Sequence, residues 1–204
     1  MEVSRKVWLS EMAMLLVAMI WGGTFVAAQF AQETIPTFWI LAIRFILAGL
    51  MMSLVFWKEW KKLDRKTIRY GATIGLLLFL GIGVQMVGLK FTTPAKQSFV
   101  LVSYVIIVPI LEWIFYGKRP AKKIFFSGIL CIIGVGLLSL NDQLKLSFGD
   151  ACTLVYALIF SIQVLKVADY SPQVGSRILF SIFQFLTAGA LSLLLALLSK
   201  EVFV

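Results

Sequence analysis

Arg44 interrupts an apolar run, Trp39-Ile-Leu-Ala-Ile-Arg44-Phe-Ile-Leu. If the run is helical, Arg44 lies about seven residues, or about 10 Å, from its polar end. A cation at that depth is costly and is kept where it faces a cavity or a partner. Two chemistries fit it. One is attraction of an anionic group such as a solute carboxylate. The other is structural: pairing with a carbonyl or an amide, or snorkelling to headgroups. Gln85, Gln163 and Gln184 are long amides in equally apolar surroundings. Each needs a hydrogen-bond partner, which one another, Arg44, water or a solute would supply. Thr24, Ser98 and Ser103 are further polar side chains in apolar stretches. Trp21 and Tyr104 sit near the midpoints of such stretches, where stacking on a solute and plain packing are both open. Trp8, Trp39, Trp57, Trp113, Tyr70 and Tyr116 lie near the ends instead, as interfacial anchors do.

Three more residues could govern movement rather than binding. Lys96 stands at the mouth of an apolar stretch, placed either to snorkel or to meet a solute there. Glu112, about one turn from the other end of that stretch, could carry a proton or pair with Lys118 or Arg119. Pro109, between them, breaks the helical ladder and would act as a hinge or as a static kink. Enzyme chemistry has little to work with. The sequence has no His, no Walker loop and no Cys/His cluster, and its two cysteines, Cys131 and Cys152, read as small packing residues. No metal site and no cofactor are expected.

The elements that position these residues follow from composition. Of 204 residues, 60% are hydrophobic and only 14% charged, with a mean hydropathy of +0.95. A soluble domain needs roughly a quarter charged residues to coat its surface. An all-α membrane protein is therefore expected. Seven apolar stretches, at about 9–30, 37–57, 71–89, 95–116, 124–140, 151–168 and 178–198, read as seven transmembrane helices. The net charge of +9 is explained by loops rather than by nucleic acid. Fourteen of the nineteen basic residues fall on the side of the N-terminus and four on the other, with Arg44 inside span two. That asymmetry predicts a cytoplasmic N-terminus in a cell (plasma or inner) membrane. Clustered glycines, such as Gly71, Gly75, Gly81, Gly83 and Gly88, predict close helix packing in span three.

The chain also matches itself. Glu11–Ala18 falls on Asp150–Ala157 at an offset of 139, and Arg44–Gly49 falls on Gln184–Gly189 at an offset of 140. Five spans separate equivalent points, an odd number, so the second copy must be inverted in the membrane. Such inverted repeats place their solute near the midplane.

In order along the chain, Trp21-Gly22-Gly23-Thr24-Phe25, Arg44-Phe45 with Gly49, Gly88-Leu-Lys-Phe-Thr92-Thr93-Pro-Ala-Lys96, Tyr104-Val-Ile-Ile-Val-Pro109, Lys118-Arg119-Pro120 and Gly149-Asp150 resemble the EamA family of the drug/metabolite transporter superfamily. The resemblance implies ten helices as two inverted five-helix repeats and export or facilitated passage of small organic solutes. On that basis residues 1–149 form one complete five-helix repeat, and residues 150–204 the first two helices of an inverted second repeat. The expected partners are the lipid bilayer, a small-molecule solute and a homodimeric second copy, and no nucleic acid. Expected solute-binding residues are Arg44, Trp21, Thr24, Gln85, Lys96, Tyr104, Gln163 and Gln184, with Glu112 and Pro109 in coupling or gating. Two other readings remain: a non-transporting fragment that needs its missing helices or a dimer partner, and a membrane receptor or assembly subunit.

Overall fold

The computed structural model describes residues 2–120, 122–139 and 147–199. Lys145 and Lys200, and the side chains of Arg5, Lys6, Lys122 and Cys131, lie outside the described residues, as do the surroundings of Gly136. Every regular element described is helical: α1 (Glu2–Ala31), α2 (Thr37–Val55), α3 (Arg65–Leu89), α4 (Pro94–Leu101), α5 (Tyr104–Tyr116), α6 (Lys122–Ser139), α7 (Phe148–Tyr170) and α8 (Arg177–Leu198). Short 3-10 helices, Trp57–Lys62 and Ser171–Gln173, join α2 to α3 and α7 to α8.

Six spans are long and apolar enough to cross a membrane: Ser10–Ala31, Thr37–Val55, Arg65–Leu89, Pro94–Tyr116, Phe148–Gln173 and Arg177–Leu198. The fifth expected span, 124–140, falls on α6, which is a helix of 18 residues there but is not among the six. Several of its side chains lie outside the described residues. Many outward-facing side chains along the spans, Leu16, Val17, Met51, Leu54, Ile114 and Leu197 among them, are apolar. That is the surface an integral membrane protein presents to lipid.

Local chemistry fixes the helix ends. Asp64 caps α3 by accepting from the Thr67 N–H at 2.9 Å, and Thr93 caps α4, with Pro94 at the first helical position. Ser147 and Asp150 cap each other's backbone N–H groups at the start of α7 in a capping box. Gly117 closes α5 in the left-handed region, with φ +70°, which a side chain would disfavour.

Span four differs from the expected single helix kinked at Pro109. It is discontinuous: α4 ends at Leu101 and α5 begins at Tyr104, while Pro109 lies inside the unbroken α5. At the interruption the backbone switches to tighter bonds, Ser103 N–H to the Val100 carbonyl at 3.2 Å and Val105 N–H to the Val102 carbonyl at 3.0 Å. Proline removes one donor from the helical ladder, and α5 nevertheless continues through it from Tyr104 to Tyr116.

Helices α2, α3, α7 and α8 pack into the centre, where α8 lies against both α2 and α3. Glycines let the backbones touch. A Cβ added at Gly75 would fall 2.6 Å from the Gln184 carbonyl oxygen. The α2–α8 contact is reciprocal. A Cβ at Gly49 would strike Leu186 at 2.6 Å, and one at Gly189 would strike Ile46 at 2.7 Å. Phe45 and Phe185 stack on each other at 6.1 Å, 13° from parallel. In each case the partners exchange roles at a chain offset of 140. Leu41, Phe45, Leu78, Met86 and Ala188 form one buried core, and Phe25, Leu101, Tyr156 and Ala157 form another.

Candidate solute site

A cleft opens where α1, α2, α3, α4 and α7 converge. Its lining is Trp21, Thr24, Phe25, Ala28, Arg44, Ile82, Gln85, Met86, Leu89, Gln97 and Tyr156, around a cavity volume of about 40 Å³. Each wall has a local cause. Burial of Leu41, Ala42 and Phe45 against the core leaves Arg44 on the exposed side of α2. Thr24 Oγ1 donates to the Trp21 carbonyl at 2.6 Å, which keeps a hydroxyl in an apolar helix satisfied. Gln97 is fully buried, and its Nε2 donates to the Gln85 backbone carbonyl at 2.8 Å. That bond fixes the amide's orientation and leaves Gln97 Oε1 without a partner. Gln32, just beyond the cleft, ties α1 to α3 by donating to the Met86 carbonyl at 2.9 Å.

The structure brings four of the expected solute-binding residues together here: Arg44, Trp21, Thr24 and Gln85. Tyr104 stands one ring away from the lining, edge-on to Phe160 at 5.1 Å, and Phe160 also meets Trp21 and Tyr156. Gln163 is buried further along α7, outside the cleft lining, with its Oε1 unpartnered. Gln184 lies at the α3–α8 contact, where its backbone faces Gly71 and Gly75. Gln97, Phe25 and Tyr156 line the cleft although sequence reasoning did not single them out as site residues. Gln97 sits early in span four, where an amide reads as an interfacial residue; its place directly after the Gly88–Lys96 segment is the available signal.

Lys96 does not snorkel. Its ammonium meets the Asp150 carboxylate at 2.9 Å, with the two side chains only 8% and 0% exposed. Asp150 also accepts from the Thr92 hydroxyl at 3.1 Å and the Ser147 N–H at 2.8 Å. Around the pair the chain is closely packed: a Cβ on Gly149 would lie 2.5 Å from the Gly88 carbonyl oxygen, and Phe91 meets Phe148 edge-on at 5.3 Å. This joint ties the α3–α4 connection to the start of α7.

A second joint lies at the opposite ends of the same helices. Tyr70 and Tyr170 stack at 4.1 Å, and the Ser176 hydroxyl donates to Glu59 at 2.7 Å. Glu59 also takes a hydrogen bond from Lys62, and the two bonds hold its carboxyl below the usual range. The Thr67 donors do the same for Asp64. Glu112 pairs with Lys118 at 3.0 Å, part-exposed, on that side. Among the described residues no three His, Cys, Asp or Glu side chains gather as a metal site.

A bundle of apolar helices long enough to cross a membrane, with polar and aromatic side chains lining a cleft between them, defines an integral membrane protein. Residues 8–140 match the EamA-like transporter family, and the chain belongs to that family. It is 33% identical over 162 residues to an uncharacterized transporter of Archaeoglobus fulgidus, covering 79% of this chain and 50% of that protein. It is 27% identical over 160 residues to the uncharacterized transporter YoaV of Bacillus subtilis, covering 74% and 54%. It is 29% identical over 119 residues to UDP-xylose transporter 1 of Arabidopsis thaliana, covering 58% and 33%. The chain spans about half the length of the first relatives it matches. These relatives are named as transporters and not as enzymes. No solved structure matches the chain.

Proposed function

We propose that the chain forms the core of a multispanning transporter of small organic solutes, with the α1–α2–α3–α4–α7 cleft as its binding site. The observation that carries this reading is the cleft: a guanidinium, two amides, a hydroxyl and aromatic rings face one space inside an apolar bundle. Its cavity volume of about 40 Å³ is well below that of a formed small-molecule site, so solute entry requires the surrounding helices to part. The relative named for UDP-xylose supports an organic solute.

Transport proceeds by alternating access, one repeat rocking against the other. Residues 1–149 are the first repeat and residues 150–204 open an inverted second one. The reciprocal α2–α8 contacts at an offset of 140 support that symmetry, because a two-fold relation makes equivalent residues exchange partners. The joints at Lys96–Asp150 and at Tyr70–Tyr170 bracket the cleft as an alternating mechanism requires. The discontinuity at Val102–Ser103 supplies a flexible point in α4–α5. The basic-residue asymmetry puts the N-terminus in the cytoplasm of a cell membrane and Lys96–Asp150 toward the outside.

The test is protection from toxic solute analogues in cells that overexpress the chain, compared with a Thr24→Trp variant that fills the cleft. The parent should protect against at least one analogue, and Thr24→Trp should not at equal membrane abundance. Identical growth of parent, variant and empty-vector cells across the panel would count against the reading.

A further inference from the structure

We infer that the solute of this cleft is a small organic monoanion with an apolar body, such as a monocarboxylate, and that Arg44 is its counter-charge. The inference rests on the cleft being the solute site, and it adds the charge class. Among the described residues Arg44 is the one charged side chain in the lining, and no Asp or Glu lines the cleft. Among the described residues Arg44 has no ion-pair partner; its guanidinium lies 5.8 Å from the centroid of the Phe45 ring and interacts electrostatically with Tyr156 across the cleft. The one buried carboxylate among the described residues, Asp150, is already paired with Lys96. A guanidinium within the span with no internal counter-charge is completed by an external anion, and its planar fork suits a carboxylate.

The other walls set the rest of the solute. Trp21, Phe25 and Tyr156 offer ring faces and edges for an apolar or aryl body. One N–H of the Gln97 amide is committed to the Gln85 carbonyl, and its unpartnered Oε1 repels a carboxylate, which leaves Arg44 as the anion-binding end of the cleft. With no acidic group in the lining, an ammonium has nothing to pair with, so cations and amine-bearing analogues are disfavoured.

The experiment is binding of three probes of nearly equal shape to the purified chain in phosphatidylcholine nanodiscs: phenylacetate, phenylacetamide and phenethylamine. Phenylacetate should bind at least tenfold more tightly than the amide, and phenethylamine should be weakest. Arg44→Lys should keep that order, and Arg44→Gln should reduce the phenylacetate-to-amide preference to about one. Equal affinities for acid and amide in the parent, or a preference unchanged in Arg44→Gln, would overturn the charge assignment while leaving the cleft as a solute site. Binding of none of the three would overturn the cleft reading itself. A lipid headgroup is the other source of an anion. Phosphatidylglycerol nanodiscs separate the two: phenylacetate affinity should stay within a few-fold, and a loss greater than tenfold would assign Arg44 to the headgroup and overturn the proposal.

Discussion

Breaking the Lys96–Asp150 pair one side at a time should cost far more than removing it whole. The two groups lie 2.9 Å apart and are 8% and 0% exposed, so solvent screening offers little relief. Removing one partner of such a pair leaves an uncompensated buried charge, a cost of about 3–5 kcal/mol. The two single variants should differ. Lys96→Met leaves a carboxylate that still accepts from Thr92 and the Ser147 N–H, so its cost should lie at the lower end. Asp150→Asn leaves the ammonium and weakens acceptance at the α7 cap, so its cost should lie at the upper end. Lys96→Met with Asp150→Asn together leaves no charge and should cost less than either single change, which appears as strong non-additivity. The assay is reversible unfolding in mixed detergent micelles, followed by the near-ultraviolet signal of the tryptophans. Single-variant costs under about 1 kcal/mol, or costs that simply add, would refute the claim that this pair is buried and coupled.

Gly189→Ala should destabilise by about 1–3 kcal/mol, because its Cβ would lie 2.7 Å from Ile46 Cγ1 and 2.9 Å from the Ile46 nitrogen. Gly23→Ala has nothing within 4 Å and sits inside α1, so the same unfolding assay should show a gain of about 0.5–1 kcal/mol. Ser103 Oγ is buried without a partner, so Ser103→Ala should leave stability unchanged or raised. Glu59 and Asp64 have carboxyls depressed by hydrogen bonds in the fold, so each contributes stability above its ordinary pKa. That contribution is lost as pH falls through the depressed values. Unfolding compared at pH 7 and in acid should therefore show a smaller acid loss in Glu59→Gln than in the parent.

Hydropathy made the spans legible because an apolar helix of that length has one suitable solvent. It also pointed to Arg44, Trp21, Thr24 and Gln85, since a polar side chain inside a span must face protein or a cavity. Their convergence could not be read, because helix rotation about its axis is set by packing, here by glycine contacts such as Gly49 with Leu186. Lys96 shows the same limit. Its position near a span end fits snorkelling, and its partner is 54 residues away on another helix. Pro109 shows a different one. The proline rule locates a lost hydrogen bond, whereas the helix break at Val102–Ser103 is set by the wider fold. The 140-residue offset is visible as a faint self-match, whereas the stacking of Phe45 on Phe185, which stand at that offset, could not be read from it.

The central claim is that a water-accessible cleft lies inside the apolar bundle at Thr24. It is tested by cysteine labelling in liposomes, in a background where Cys131 and Cys152 are replaced. Thr24→Cys should react with a membrane-impermeant methanethiosulfonate, and Leu47→Cys, on the exposed apolar face of α2, should not. An inert Thr24→Cys, or equal labelling of both positions, would contradict the account.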